Sequence, residues 1–470
     1  MSQNPPKPTV AIAGGGLAGL AAACALADSG FRVTLFERRP FLGGRASSYE
    51  HPGTGEVVDN CQHVLFRVCT NLLEFYRRIG VEEKLRWFDE MTFIEPGGRA
   101  SVMQASSLPA PLHTAPSFLR FKFLSAKDKL VISRALAALT LSPQPDIGQS
   151  FQDWLQRHDQ TANAIERFWK PILVSALSED LDLISISSAA QVVRESMKSP
   201  TARHMGVPTI PLTDLYNRAG DYIRARGGEI RFRNSLESFL PAPSQVNIRV
   251  GEGEETFDFL VLALPFENLD RVLPQTPEAA LLRDQLSHFE TSPITGIHLW
   301  FDRQITGLDH AVLLDRTIQW MFHKSRLLAT RGGADAESSG SYIELVVSAS
   351  KNLIEKSRAE IVDLALKEVR EFFPGARDAN LVKSAVIKEV HATYSPRPGI
   401  DAYRPQQSMA WPRVFLAGDW TSTGWPATME GAVRSGYLAA ESLLRSRGMK
   451  DVKLLVPDLP ASGFMRLFNR

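Results

Sequence analysis

Cysteine is scarce. The 470 residues contain three, Cys24, Cys61 and Cys69, odd in number and irregularly spaced. Neither a disulfide framework nor a zinc site is expected, and a reducing cytoplasm is the expected compartment. An excess of one charge is missing too. The 53 basic and 52 acidic residues leave a net charge of +1, which provides no electrostatic footprint for nucleic acid. The opening MSQNPPKPT lacks the charged and apolar regions of a secretory signal, so none is expected. Long apolar runs are limited to residues 10–27, where Gly14, Gly15, Gly16 and Gly19 interrupt the run. A strand, a glycine turn and a buried helix account for it better than a membrane span. Glycine itself is almost missing from 117–200, where Gly148 stands alone; that stretch reads as helices.

A chain of 470 residues is too long for one core and implies two or three domains. Val10 to Ala13 is a short apolar run of the kind buried on both faces of a sheet. An Ala-rich stretch follows, Gly30 ends it, and residues 31–36 form a second strand closing at Glu37. This is one βαβ unit of a parallel sheet. Further strands are expected at 257–263, 295–301, 342–348 and 414–417, with helices at 127–139, 150–157 and 359–372. The expected fold class is α/β: a Rossmann-type domain, with a parallel sheet in three-layer packing, plus an inserted α+β substrate domain of mixed sheet and helices. The expected boundaries are 1–100, 205–287 and 386–448 for the discontinuous first domain. Residues 101–204 and 288–385 are assigned to the second and 449–470 to a C-terminal tail. The polar segment 331–341 is expected to be a mobile loop.

Gly14-x-Gly16-x-x-Gly19 follows a strand and opens a helix. The first glycine permits the tight turn, the second lets backbone approach a pyrophosphate, and the third lets helix and strand pack closely. The N–H groups of Leu17 and Ala18 open the helix, where the macrodipole favours an anion. Glu37 ends the second strand, placed to accept hydrogen bonds from a ribose diol, with Arg38 beside it. These features do not separate FAD from NAD.

Leu42-Gly43-Gly44-Arg45 and Leu416-Ala417-Gly418-Asp419 resemble motifs of the flavin-containing amine oxidase and phytoene desaturase superfamily. The resemblance implies FAD, with Gly43, Gly44 and Arg45 toward the pyrophosphate and Gly418 and Asp419 toward the ribityl or phosphate region. Leu236 would lie near the adenine. The stretch 424–432 would open a helix, with Pro426 near its start, Thr423 or Thr428 as cap, and Met429, Gly431 and Ala432 toward the flavin pyrimidine ring. No Cys or His stands where that superfamily attaches flavin covalently, so non-covalent binding is expected. With one dinucleotide fingerprint, reducing equivalents are expected from an external donor.

Five segments, 59–65, 93–99, 108–113, 168–177 and 206–212, look like those of the squalene-associated FAD-dependent desaturase group, the hydroxysqualene dehydroxylases of bacterial hopanoid biosynthesis. That resemblance implies reductive loss of an allylic hydroxyl: hydroxysqualene and reduced FAD give squalene, water and oxidised FAD. Hydroxide leaves poorly, so an acid must assist it, and water must be kept from the allylic cation. Candidate acids are His63, Asp59 and Glu179, though each also has a plain structural reading. An apolar C30 isoprenoid substrate needs a tunnel. Phe118, Phe121, Phe123, Phe168, Trp169, Ile172 and Leu173 could line one or simply pack a core. Alternatives are a phytoene or carotenoid desaturase, which moves hydride the other way, an amine oxidase, and a non-catalytic prenyl-lipid carrier on the same fold. The tail combines Phe464, Leu467 and Phe468 with Arg466 and Arg470. It is read either as a peripheral contact with the inner face of the membrane or as a terminus docked on its own protein.

Overall fold

The structure, a computed structural model, describes residues 7–141, 148–328 and 340–467. Apart from Gly340 and Ser341, the expected loop at 331–341 lies outside the described residues.

Five parallel strands form the central sheet, in the spatial order Glu229–Phe232, Arg32–Glu37, Thr9–Ala13, Phe259–Leu262, Val414–Leu416. Both faces are covered, which is why the inner strands are continuously apolar. One face carries the helices Leu17–Asp28, Thr70–Arg78, Leu212–Ala225 and Met429–Ser446. The other carries the antiparallel meander Leu236–Pro241, Val246–Val250 and Gly253–Phe257. Leu17–Asp28 is buried everywhere except at Asp28, and its alanines and Gly19 let neighbouring elements approach it closely. Gly436 of the last helix packs against the Ala18 carbonyl and the Ala21 side chain, leaving no room for a Cβ. Ala13 is in register with both Phe36 and Leu262, and Leu262 with Leu416. The glycine turn, Glu37 and Asp419 therefore gather at the carboxyl ends of the strands, where open α/β sheets bind ligands.

The second sheet has seven strands: Leu381–Tyr394, Thr291–Phe301, Tyr342–Ser348, Trp320–Phe322, His310–Leu313, Glu90–Ile94 and Ala100–Gln104, in that order. Two of the expected boundaries fall inside its pairings. A division at residue 100 cuts the hairpin Glu90–Ile94 with Ala100–Gln104, and one at 386 cuts a strand that pairs with Thr291–Phe301 along most of its length. The expected strand 257–263 is in fact two. Asp258 accepts hydrogen bonds from the Thr9 N–H and hydroxyl, and this separates Phe257 in the meander from Phe259 in the central sheet.

Against the second sheet pack the helices Ala126–Leu141, Phe151–Arg157, Lys170–Leu177 and Ile186–Met197. Ser150 and Asp153 form a reciprocal capping box at the start of the second. A π-helical turn, Ile165–Trp169, leads into Lys170–Leu177. Such turns rotate side-chain directions, and this one carries Phe168 and Trp169, both buried.

Candidate functional site: a nucleotide cradle and an apolar tunnel

The cradle is built at the ends of the central strands. Gly14 and Gly19 pack so closely that a Cβ on Gly19 would collide with the Gly14 carbonyl. No side chain caps the helix that begins at Leu17, and Gly16 is its N-cap. Its first N–H groups, including those of Leu17 and Ala18, are thus left for an anion. Glu37 accepts from the Gly15 N–H and the Arg39 N–H, both at 2.7 Å. Each carboxylate oxygen keeps a lone pair for a diol. Arg38 is exposed; its neighbour Arg39 is the one bound to the cradle, donating to the Gly44 carbonyl at 2.9 Å. The Gly43 N–H donates to the Gly15 carbonyl, fixing the second glycine turn on the first. Leu236 begins its strand just after Asn234, whose N–H donates to the Glu37 carbonyl. That places the start of the Leu236 strand next to the end of the strand that carries Glu37.

Arg45 and Asp419 meet at 2.7 Å, and Arg45 also donates to the Ala392 carbonyl, joining three chain segments. The Arg45 side chain remains 31% accessible beside this pair. The Gly418 N–H donates to Ser435 of the last helix. That helix begins at Met429, not at Pro426, and the Thr428 hydroxyl caps it by accepting from the Gly431 N–H at 3.0 Å. Ala432 packs against the core behind it. A nucleotide with an anionic centre and a ribose at one end fits these groups.

The tunnel is a cavity of about 540 Å³ between the helical layer, the second sheet and the cradle. Thr428, Met429 and Glu430 stand in its wall beside the cradle, while Leu112, 49% exposed, marks an outer part. Of the expected tunnel residues, Phe118, Phe168, Trp169 and Ile172 line it. Phe121, Phe123 and Leu173 pack in the core behind, the two phenylalanines stacked on each other and against Phe93.

The three acid candidates are not brought together. Glu179 is fully buried away from the tunnel and accepts from Lys351, the Ser395 hydroxyl and the Asp180 N–H. It joins the helical layer to the second sheet, and we do not carry it forward as the acid. Asp59 is buried 2.7 Å from the Lys324 ammonium and also accepts from the Ser48 hydroxyl and the Leu212 N–H. Burial pushes its carboxyl up, but the ammonium and these hydrogen bonds outweigh burial and hold it below its ordinary range. Asp59 is thus a paired carboxylate, not an acid. Burial lowers the pKa of His63, and its Nδ1–H donates to the Cys61 carbonyl at 2.8 Å. His63 is therefore a neutral imidazole suited to receive a proton at Nε2. Gln62, on the tunnel wall, accepts from Lys324 at 2.8 Å.

Sequence reasoning missed Lys324 and Glu344. Lys324 sits in no motif. Glu344 left a trace: a lone carboxylate in the otherwise apolar strand Tyr342–Ser348. Its Oε2 is 3.4 Å from Lys324 Nζ without hydrogen-bond geometry, and burial pushes its carboxyl up to about 8 despite that ammonium. One ammonium, one paired carboxylate and one carboxyl that holds its proton more tightly than usual thus lie behind Gln62.

The profile of the flavin-containing amine oxidoreductases matches residues 17–444. The chain belongs to this family. Its cofactor is FAD, for which the cradle is the candidate site. A 15-cis-phytoene desaturase of Synechococcus elongatus is 28% identical over 456 residues, 93% of this chain and 95% of that one. A zeta-carotene desaturase of Zea mays is 29% identical, over 96% and 87%. The wild-type putrescine oxidase structure with putrescine bound superposes with a TM-score of 0.69 at 16% identity, covering 94% of this chain and 100% of that one. That likeness shows the same α/β fold.

Proposed function

We propose that this FAD-dependent oxidoreductase acts on a long apolar isoprenoid chain drawn into the tunnel, dehydrogenating it as a carotene desaturase does. The observation that carries the proposal is the tunnel, overwhelmingly apolar and reaching the start of the helix at Met429. The desaturases among the relatives support it. FAD, when bound, supplies the hydride acceptor. The chain's own aromatic wall holds the substrate and excludes water.

A second reading, reductive dehydroxylation of hydroxysqualene, keeps one specific support. That reaction needs a proton donor, and Glu344 holds its proton at neutral pH behind Gln62. Among the described residues, the segments 59–65 and 168–177 that resemble the dehydroxylase group both contribute to the tunnel wall. Two anaerobic incubations separate the readings. Oxidised enzyme with phytoene should bleach its flavin and yield a longer conjugated chromophore. If only reduced enzyme with hydroxysqualene reacts, giving squalene, the direction is reversed. An enzyme inert to both but active on amines would overturn the isoprenoid assignment.

A further inference from the structure

Arg203 closes the short turn Pro200–Arg203 after the helix Ile186–Met197, and its side chain faces the tunnel beside Met103, Leu112 and Ser196. Among the described residues its side chain donates to the Met103 sulfur, a weak acceptor. Among the described residues no carboxylate stands within ion-pair reach of it. The tunnel's own carboxylates are engaged elsewhere. Glu195 holds Lys198 at 2.9 and 3.0 Å, and Glu430 holds Arg434 and the N–H groups of Asn71 and Leu72. Burial alone draws the Arg203 guanidinium down to about 10. Next to it His113 is fully buried with neither ring nitrogen hydrogen-bonded, and burial together with the Arg203 charge keeps it neutral. Half-buried on an apolar wall, the Arg203 guanidinium has no anion to pair with, and five N–H donors in a planar fork suit an oxyanion best.

We propose that Arg203 is an oxyanion-recognition point in the tunnel wall, taking the terminal phosphate or carboxylate of an amphiphilic chain whose apolar part runs toward the FAD site. The proposal rests on the tunnel reading above and extends it, since neither a carotene nor hydroxysqualene carries an anion. The amphiphile is therefore a second class of ligand, competing with the neutral chain for the same apolar wall.

The test uses the FAD-loaded enzyme and follows the flavin spectrum on titration with geranylgeranyl monophosphate and with geranylgeraniol, then oleate against oleyl alcohol. Wild type should bind each anion at least about tenfold more tightly than its alcohol. Arg203→Met should lose that preference while keeping the alcohol affinity, and Arg203→Lys should retain part of it. Inorganic phosphate alone should not compete. An unchanged preference in Arg203→Met, or no preference in wild type, overturns the proposal. Loss of binding by Arg203→Met to phosphatidylglycerol vesicles, with monomeric geranylgeranyl phosphate unaffected, also overturns it, assigning the guanidinium to a lipid surface. If the alcohols fail to bind wild type at all, the tunnel reading falls and this proposal with it.

Discussion

Lys324 Nζ lies 2.7 Å from Asp59 Oδ2, although 265 residues separate them and neither side chain is more than 5% exposed. The pair fastens the second sheet to the FAD domain directly behind Gln62. Removing one partner leaves a buried charge uncompensated, which costs about 3–5 kcal/mol. Lys324→Met is expected to lose stability on that scale in urea unfolding, and Lys324→Met with Asp59→Asn is expected to recover a part. If the single variant is as stable as wild type, the pair does not hold the two domains together.

Glu344 makes stability depend on pH in a defined direction. Its carboxyl is raised from 4.5 to about 8 in the folded protein, so between those values the folded state binds more protons than the unfolded. The contribution is fully present below about pH 4.5 and is lost as pH rises through about 8. At about 1.4 kcal/mol per unit, the window is worth at most about 5 kcal/mol. Glu344→Gln should flatten this fall and be the more stable protein at pH 8. Denaturation midpoints of both proteins from pH 5 to 8 check it, and parallel curves would contradict it.

The FAD domain was legible because each of its features is a local rule made visible. Gly14 and Gly19 stand where backbones touch, Glu37 ends an apolar strand, and small residues cover a helix buried all round. The domain boundaries were not, because Leu381–Tyr394 passes between the domains as one uninterrupted strand. The proton-bearing groups were hidden for another reason. Asp59 was visible as a polar residue, but its partner Lys324 comes from a distant segment, and only that meeting turns a candidate acid into a fixed carboxylate. Glu179 misled in the same way: its burial against Lys351 and Ser395 depends on contacts that no spacing reveals.

Glu37 and Asp419 should each matter to FAD affinity. Glu37→Ala removes a ribose acceptor, and Asp419→Ala also leaves Arg45 without its carboxylate. A lost charge-assisted bond costs about 1.5–3 kcal/mol, or about 10- to 150-fold in affinity. FAD titration of the apoprotein measures this directly. Wild-type affinity in both variants would remove these residues from the cofactor site.

NAD(P)H alone should reduce the flavin only slowly. Among the described residues one parallel sheet carries one glycine fingerprint, already used for FAD. Stopped-flow bleaching by NADPH at the rate of turnover, without a partner protein, would show a second dinucleotide site.

The tail gives the last prediction. Much of it is docked on the protein: the Val456 N–H donates to Asn71, Asp458 pairs with Arg434, the Phe464 N–H donates to the Ala110 carbonyl, and Met465 is buried beside Ala110. Deleting the tail would therefore disturb the fold as well as any surface function. Two large apolar side chains of the tail stay outside. Phe464 is 51% exposed and Leu467 70%, and Ala110, to which Phe464 is bonded, lies two residues from the half-exposed tunnel residue Leu112. No helix among the described residues is long and apolar enough to cross a membrane. A substrate that partitions into lipid is best collected from a bilayer, and exposed apolar side chains near the tunnel, with Arg466 beside them, suit shallow insertion at anionic headgroups. Phe464→Asp with Leu467→Asp should lower co-sedimentation with anionic vesicles by about tenfold or more, with flavin content and melting temperature unchanged. Equal sedimentation of both proteins, or none of either, would rule the tail out as a membrane contact.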